Sequence, residues 1–199
     1  MRNPPAVFFR KSRMKDTNVE RLARAAAMWR HVGRARPPFA LAPGLDQESV
    51  WDYPRPPRLV LDAREVVVMA GSLEIARSHL ALRLLETASP PGFYLPAQDV
   101  RTELLTPAAG LSNCEWKGEA VYWSVQQPGG DVLDSVAWSY PQPLAPYEAI
   151  AGHFGFYPQH LACFVGGFRV QPQPGRFYAG WITPEVVGPF KGAPGSGGW

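Results

Sequence analysis

Apolar and polar side chains alternate through the middle of the chain with a period of two, which is the period of a β-strand. Over residues 119–127 this alternation sends Tyr122 and Trp123 to opposite faces of the predicted strand. Residues 128–131, Pro-Gly-Gly-Asp, have the composition of a hairpin turn. Residues 132–139 then return with a second run of strand-forming side chains. The pattern predicts a β-hairpin built from these two runs.

Short apolar runs separated by turn residues predict further strands on both sides of the hairpin. They lie at residues 59–61, 65–70, 73–77, 93–96, 153–157 and 161–165. Residues 80–87 are ambiguous, because their propensity favours a helix whereas Pro90, Pro91 and the neighbouring strands favour an extended chain. The 22 prolines and 19 glycines also favour short strands and many turns. We therefore predict a mainly β domain of small antiparallel sheets with one or two short helices.

The N-terminal part of the chain differs in both pattern and charge. Val19, Leu22, Ala26 and Trp29 fall at helical spacing. Ten Lys and Arg against two Asp and Glu give residues 1–40 a net charge of +8, while the rest of the chain carries −5. A basic amphipathic helix either touches an acidic partner, a lipid surface or a nucleic acid, or packs on its own domain. The acidic balance of the remainder argues against a nucleic-acid groove in the core domain.

Turn-rich stretches divide the chain into three predicted segments. Thr17 or Asn18 can cap the N-terminal helix, and a Pro/Gly linker follows it. We predict a basic arm over residues 1–44, a β domain over residues 45–170, and a Gly/Pro/aromatic C-terminal extension over residues 171–199.

Two cysteines, Cys114 and Cys163, stand far apart, and no CxxC motif is present. This argues against a disulfide framework and against a zinc site, so we predict no metal and a cytoplasmic location. No apolar run approaches the roughly 18 residues that a membrane-spanning helix needs. The cofactor and the oligomeric state stay open.

Residues 114–124 concentrate groups that could do chemistry. Cys114 could act as a nucleophile if Lys117 stabilised its thiolate and His153 served as the base. The alternative is a small buried thiol beside a turn. Glu86, which follows two leucines, is the carboxylate best placed for acid–base chemistry in a partly apolar cleft. These four residues are the candidate catalytic groups.

The aromatic residues of the predicted hairpin form a second candidate set. Tyr122, Trp123, Trp138 and Tyr140 all lie on or beside it. If some of them face one concavity, they could stack a flat ligand such as a base. The alternatives are an aromatic core cluster, or a cross-strand pair of Trp123 and Trp138.

Several blocks of the sequence, taken in order, resemble a known bacterial family. They are residues 49–57 (SVWDYPRPP), Glu86-Thr87 with Pro90-Pro91, Tyr94-Leu95-Pro96, Asp99-Val100, residues 114–122 (CEWKGEAVY), residues 137–141 (AWSYP) and residues 150–157 (IAGHFGFY). Over roughly residues 49–170 the chain is similar to the family catalogued as domain of unknown function 427, which carries a nucleotidyltransferase-like label.

The resemblance implies a small antiparallel domain of the β-tent architecture, shared with methionine sulfoxide reductase B and the thalidomide-binding domain of cereblon. In those relatives ligands bind on a sheet face, often among aromatic side chains. Their paired CxxC zinc sites have no counterpart in this sequence. Nucleotidyltransferases often place an Asp-x-Asp after a Gly-Ser, but none follows Gly71-Ser72 here, so the label is not carried over as an activity.

We therefore expect a domain that binds a small planar or nucleotide-like ligand. Lys117 would meet an anionic group of the ligand as a point charge, and Glu86 would accept a hydrogen bond or a proton. One alternative is an enzyme of the group-transfer type, through nucleotidyl transfer with Mg²⁺ or through chemistry at Cys114. Another is an interaction module that recruits a partner through the basic N-terminal arm.

Overall fold

The computed structural model describes residues 17–127, 129–175 and 177–199. The α-helix of this part of the chain, α1, spans Asn18–Ala27. The β-strands are β1 (Glu48–Ser49), β2 (Arg58–Asp62), β3 (Val66–Ala70), β4 (Leu73–Ser78), β5 (Ala81–Leu85), β6 (Gly92–Pro96), β7 (Leu105–Cys114), β8 (Gly118–Gln126), β9 (Val132–Ser139), β10 (His153–Phe156), β11 (Ala162–Val165), β12 (Phe168–Arg169), β13 (Gln171–Pro172), β14 (Trp181–Ile182) and β15 (Val186–Val187). Short 3-10 helices lie at Val50–Asp52, Ala97–Asp99, Thr102–Leu104 and Glu148–Ile150. The predicted mainly β class is confirmed.

Two antiparallel sheets form the body of the protein. The large sheet has seven strands in the order β2-β5-β6-β10-β9-β8-β7, and the small sheet has four in the order β12-β11-β3-β4. β8 and β9 form the predicted hairpin, closed by a hydrogen bond of 2.8 Å from Gln127 N to Asp131 O. The ambiguous residues 80–87 contain β5, which pairs with β2 and β6. Pairing within a sheet therefore overrides their helical propensity.

One face of the large sheet packs against the small sheet. Val68 and Ile75 of the small sheet, and Phe93 and Phe156 of the large sheet, are almost fully buried in this interface. Trp181 of the C-terminal extension stacks on Phe93, with ring centroids 4.9 Å apart. Burial of such apolar side chains is the main source of folding stability. An indole therefore anchors the extension in the core.

The opposite face of the large sheet carries a second apolar cluster, which the N-terminal segment covers. Tyr94, Trp138 and Tyr140 contribute to this cluster, and Leu22 and Trp29 pack on it. Tyr94 reaches this face because its neighbours along β6 point to the other one, as alternation in a strand requires. Each face of the large sheet is thus covered by a different part of the chain.

The N-terminal helix begins at the predicted cap. The Thr17 side chain accepts a hydrogen bond from Glu20 N, and the Glu20 carboxylate accepts one of 2.9 Å from Thr17 N. Val19, which the helical spacing places on the packing face, is 76% exposed. That part of the prediction is wrong, because the packed stripe begins one turn later, at Leu22. The basic residues 1–16 of the predicted arm lie outside the described residues.

A third cluster joins the segments that flank the family-like domain. The Trp51 ring lies 5.1 Å from the Phe39 ring and 5.2 Å from the Trp199 ring, between centroids. Trp51 Nε1 also donates a hydrogen bond of 3.1 Å to Pro189 O. Strands β1 and β15 pair in parallel beside it. The linker and the C-terminal extension therefore pack against each other.

Gly155 on β10 lies directly under the Trp138 ring. A Cβ added to Gly155 would come within 2.3 Å of that ring. We expect Gly155→Ala to displace the indole and to lower the free energy of unfolding by about 1–3 kcal/mol. Urea denaturation measures this change. Gly197→Ala is the control, since a Cβ there meets nothing within 4 Å. An unchanged unfolding midpoint for Gly155→Ala would contradict the position of Trp138.

Candidate functional site

Lys117 lies in the tight turn that joins β7 to β8. The turn is closed by Gly118, whose φ of +92° is a left-handed conformation that glycine adopts without strain. The backbone carbonyl of Lys117 accepts a hydrogen bond of 2.9 Å from Leu144 N. Lys117 is only 7% exposed. The turn thus places an ammonium group inside the protein.

Aromatic and polar side chains surround this ammonium group. Lys117 Nζ lies 5.4 Å from the centroid of the Tyr140 ring, which is a cation–π distance. Burial works to lower the pKa of Lys117, but Tyr94, Tyr140, Cys114 and Glu86 favour the charged form and raise its pKa well above the ordinary value. Both phenols are uncharged at neutral pH, so the Glu86 carboxylate is left as the partner that favours the ammonium form of Lys117 there.

Tyr94 and Tyr140 are buried phenols beside Lys117. Their ring centroids lie 6.2 Å apart, and the Tyr94 ring meets Trp138 edge-on at 6.1 Å. Burial raises the pKa of both phenols, so both are protonated at neutral pH. A neutral phenol can donate or accept a hydrogen bond. The two tyrosines can therefore bind polar groups that approach the ammonium.

Three of the four predicted ligand-binding aromatics lie in the cluster beside Lys117. Tyr122 stands opposite Trp138 in the β8–β9 pair, and both belong to this cluster together with Tyr140. The Tyr122 hydroxyl donates a hydrogen bond of 2.7 Å to Ser112 Oγ. These side chains form one wall of aromatic rings on the face of the large sheet that α1 covers.

Trp123, the fourth of these aromatics, packs on the opposite face of the large sheet. Its ring lies 5.7 Å from the Phe154 ring, and its Nε1 donates a hydrogen bond of 2.9 Å to Ser139 Oγ. The suggested cross-strand pair of Trp123 and Trp138 is wrong, because the register places Trp123 opposite Ala137. A ligand beside Lys117 would therefore not contact Trp123.

Glu86 follows β5 at the edge of the cluster. Arg55 Nε donates to Glu86 Oε1 at 3.1 Å, and the Arg55 side chain has no exposed surface, whereas that of Glu86 is 19% exposed. Arg55 also donates to Thr87 O at 2.8 Å and to His31 O at 3.0 Å. This network fixes the carboxylate, whose charge is one of those that raise the pKa of Lys117.

The last two candidate catalytic residues differ in their surroundings. Cys114, at the end of β7, is partly buried and packs on the aromatic cluster beside Lys117. His153 begins β10, and its Nδ1 lies 3.1 Å from Ala151 O. Within the described ranges, no hydrogen bond or ion pair joins His153 to Lys117 or Glu86. The structure brings Glu86, Cys114 and Lys117 together and does not connect His153 to them.

Residues that the sequence analysis did not single out as site residues meet beside Glu86. Lys191 Nζ lies 3.7 Å, and Arg55 Cζ 4.2 Å, from the centroid of the Trp29 ring. Trp29 Nε1 donates a hydrogen bond of 3.0 Å to Glu115 Oε1. The sequence analysis identified Trp29 only by its position on one face of the predicted helix. The low-complexity sequence around Lys191 carries no pattern that points to a site.

The ammonium of Lys191 should make stability depend on pH. Burial and Arg55 lower the pKa of Lys191 to about 8 from 10.5, against the opposing charges of Glu86 and Glu115. Between about pH 8 and 10.5, Lys191 is protonated more often in the unfolded chain than in the folded protein. This residue therefore makes the free energy of unfolding rise with pH over that range. We expect Lys191→Met to be more stable than wild type near neutral pH, with an advantage that shrinks through this window. Urea denaturation across the window measures the difference, and a difference independent of pH would contradict the prediction.

The chemistry of the site is that of cations and aromatic rings. Among the described residues, no three side chains of His, Cys, Asp or Glu form a group that could hold a metal ion. In the same part of the chain, no helix is long and apolar enough to cross a membrane. The groups that are brought together can bind anions, polar groups and flat rings.

Comparison with known proteins gives one family match. A family model described as "Domain of unknown function (DUF427)" matches residues 58–167, which is more than half of the chain. No curated protein matches the chain. The matched region contains Glu86, Cys114 and Lys117, whereas Trp29 and Lys191 lie outside it. The candidate site is therefore built from family residues and covered by residues from the flanking segments.

Proposed function

The chain belongs to the DUF427 family of domains of unknown function, and we propose, from the surroundings of Lys117, that it binds a small anionic ligand with a planar part at this cluster. The cluster lies on the face of the large sheet that α1 covers, within the matched region.

One observation supports this proposal above the others, namely the burial of the Lys117 amino group among aromatic and polar side chains. Lys117 is 7% exposed, and its pKa is raised by the groups around it although burial acts to lower it. Removing a charge from water costs several kcal/mol, and a core of apolar residues needs no such charge. Strongly perturbed ionisable groups gather at functional sites. A bound anion would give the ammonium a full counter-charge.

The surrounding side chains give the ligand its further properties. The phenols of Tyr94 and Tyr140 would hydrogen-bond polar atoms next to the anionic group. The Trp138 ring, which lies 6.1 Å from Tyr94 and 4.8 Å from Tyr157, would add apolar contacts to a flat ring bound beside Lys117. Glu86, held by Arg55, would accept a hydrogen bond at the rim. A nucleotide or another anionic heterocycle has all of these features.

Thermal-shift screening tests the proposal with inorganic phosphate, AMP and adenine as probes. A ligand that binds the folded state raises the unfolding temperature. We expect an anionic probe to stabilise wild type, and to lose this effect in the double variant Lys117→Ala/Trp138→Ala. Arg101→Ala is the control, because Arg101 pairs with Glu103 at the surface. Stabilisation that survives in the double variant would place the ligand elsewhere.

A group-transfer enzyme is the second candidate, and the position of Cys114 favours it. Cys114 lies close enough to Lys117 to contribute to the raised pKa of that lysine. Group transfer through a covalent intermediate needs a nucleophile, and a cysteine side chain can supply one. Nucleotidyl transfer with Mg²⁺ is the other form of this candidate, and labelled ATP incubated with the metal tests it.

Cysteine alkylation tests the Cys114 candidate with an internal control. Cys163 is fully buried between the sheets, and burial raises the pKa of its thiol. We expect iodoacetamide at neutral pH to alkylate Cys114 at least about tenfold faster than Cys163, because Cys114 is only partly buried whereas Cys163 is fully buried with a raised thiol pKa. Peptide mass spectrometry measures both rates. Equal rates would remove the basis for Cys114 chemistry.

A further inference from the structure

Trp29 is held by contacts that a flat heteroaromatic ligand would also make. The Lys191 ammonium lies 3.7 Å, and the Arg55 guanidinium carbon 4.2 Å, from the centroid of its ring. Its Nε1 donates a hydrogen bond of 3.0 Å to Glu115 Oε1. Cations bind the face of an electron-rich ring, and a carboxylate accepts a hydrogen bond from a ring N–H. We name the three residues Arg55, Glu115 and Lys191 the indole slot.

The two cationic walls of the indole slot are fixed by the rest of the protein. The Arg55 side chain is fully buried and donates a hydrogen bond of 2.8 Å to Thr87 O. Lys191 N donates to Ala88 O at 2.7 Å, and Lys191 O accepts from Gln173 Nε2 at 2.8 Å. Walls that are already ordered lose little conformational entropy when a ligand binds.

The occupant of the slot comes from a segment that is more lightly attached. Within α1 only Ala25 is buried, and the Trp29 side chain that follows the helix is partly exposed. Arg21 ties the helix to the protein through the backbone carbonyls of Trp116 (3.3 Å) and Ala145 (3.2 Å). Segments with few buried apolar contacts open at a lower free energy than a packed sheet.

We infer that the indole slot is a binding site for a flat heteroaromatic group with an N–H donor, such as an indole or a purine, and that Trp29 fills it until such a ligand displaces it. The slot shares Arg55 with the proposed anion site, where this residue holds Glu86, but it does not use Lys117. A tethered occupant competes at an effective concentration on the order of millimolar. A free ligand therefore binds the wild-type protein more weakly than a variant without the Trp29 indole.

Calorimetric titration with indole and 1-methylindole tests the site. We expect indole to bind Trp29→Ala at least about tenfold more tightly than wild type. In Trp29→Ala, 1-methylindole, which lacks the N–H, should bind about tenfold more weakly than indole. Adding Lys191→Met should weaken indole binding about fivefold through loss of the cation–π contact.

Trp199→Ala provides the matched cavity control. The Trp199 ring stacks on the Phe39 ring at 5.1 Å, so its removal also opens an aromatic cavity near the surface. We expect Trp199→Ala to bind indole and 1-methylindole with similar affinity. If Trp29→Ala also bound both compounds equally, with no effect of Lys191→Met, the slot would be a plain apolar cavity and the inference would be overturned.

Hydrogen exchange on the wild-type protein tests displacement without relying on the fold of a variant. The amides of α1 should show at least about tenfold lower protection than those of β8 and β9. Exchange of α1 only through global unfolding would overturn the inference.

Adding Lys117→Met to Trp29→Ala separates the two proposals, since that variant should keep its affinity for indole and lose its affinity for the anionic probe.

Discussion

Arg55→Met is expected to lower the free energy of unfolding by about 3–5 kcal/mol. The Arg55 side chain is completely buried and pairs with Glu86 at 3.1 Å. It also donates hydrogen bonds to the backbone carbonyls of His31, Thr87 and Trp199. Methionine keeps most of the side-chain volume but leaves these acceptors without their donor. Polar groups left unsatisfied inside a protein carry the full cost of their desolvation.

Arg36→Met is the matched control for this prediction. Arg36 pairs with Asp52 at 2.6 Å, but the two side chains are 42% and 48% exposed. Water screens such a pair, so the control should unfold close to wild type. Urea denaturation followed by tryptophan fluorescence compares the variants. Equal stability of the Arg55 and Arg36 variants would show that Arg55 does not support the site.

Lys117→Met is expected to lose ligand binding while keeping stability. Removing Lys117 leaves no unpaired charge behind, because Glu86 keeps its partner Arg55. Replacing buried ionic groups by apolar residues of similar volume is often neutral or stabilising. The free energy of unfolding should therefore fall by no more than about 1 kcal/mol. Affinity for an anionic ligand should fall at least about thirtyfold, since truncating one partner of a buried charged contact costs about 2–5 kcal/mol.

Two measurements on the same protein sample separate function from structure at Lys117. Urea denaturation gives the stability of Lys117→Met, and calorimetry gives its affinity for the probe that stabilises wild type most. Arg101→Met should match wild type in both. A loss of about 3 kcal/mol or more in stability would instead assign Lys117 a structural role, because that is the cost of disrupting a buried network.

The β8–β9 hairpin could be predicted from the sequence because its signals are local. Alternation sets the two faces of a strand, and the turn residues set the point of reversal. The same alternation places Tyr122 and Trp123 on opposite faces, so the sequence already implied that they could not both lie beside Lys117. Grouping them as ligand residues gave more weight to their aromatic character than to their strand geometry.

The surroundings of Lys117 depend on packing between distant parts of the chain. Lys117 itself stood out because residues 114–124 are dense in polar and aromatic groups. Its burial depends on Tyr94 of β6 and Tyr140 after β9, which only sheet pairing brings near. No local pattern could show that these side chains would enclose one ammonium group.

The contact between Trp29 and Lys191 is the clearest example of packing that no local sequence pattern predicts. The two residues come from opposite ends of the chain, and each packs on the site through its own flanking segment. The helical spacing identified Trp29 as a packing residue but gave no partner for it. The family-matched region carries the Lys117 cluster, and residues of the flanking segments pack against it.

An NMR titration can decide whether Lys117 carries the charge on which the proposed site depends. The chain has four lysines, at positions 11, 15, 117 and 191, so ¹³C-labelled lysine gives four ε-methylene signals that Lys117→Met and Lys191→Met assign. We expect the Lys191 signal to titrate at about 8. The chemical shift of the Lys117 signal should remain that of an ammonium group above pH 10.5. A Lys117 signal that titrated below that of Lys191 would contradict the proposed anion site.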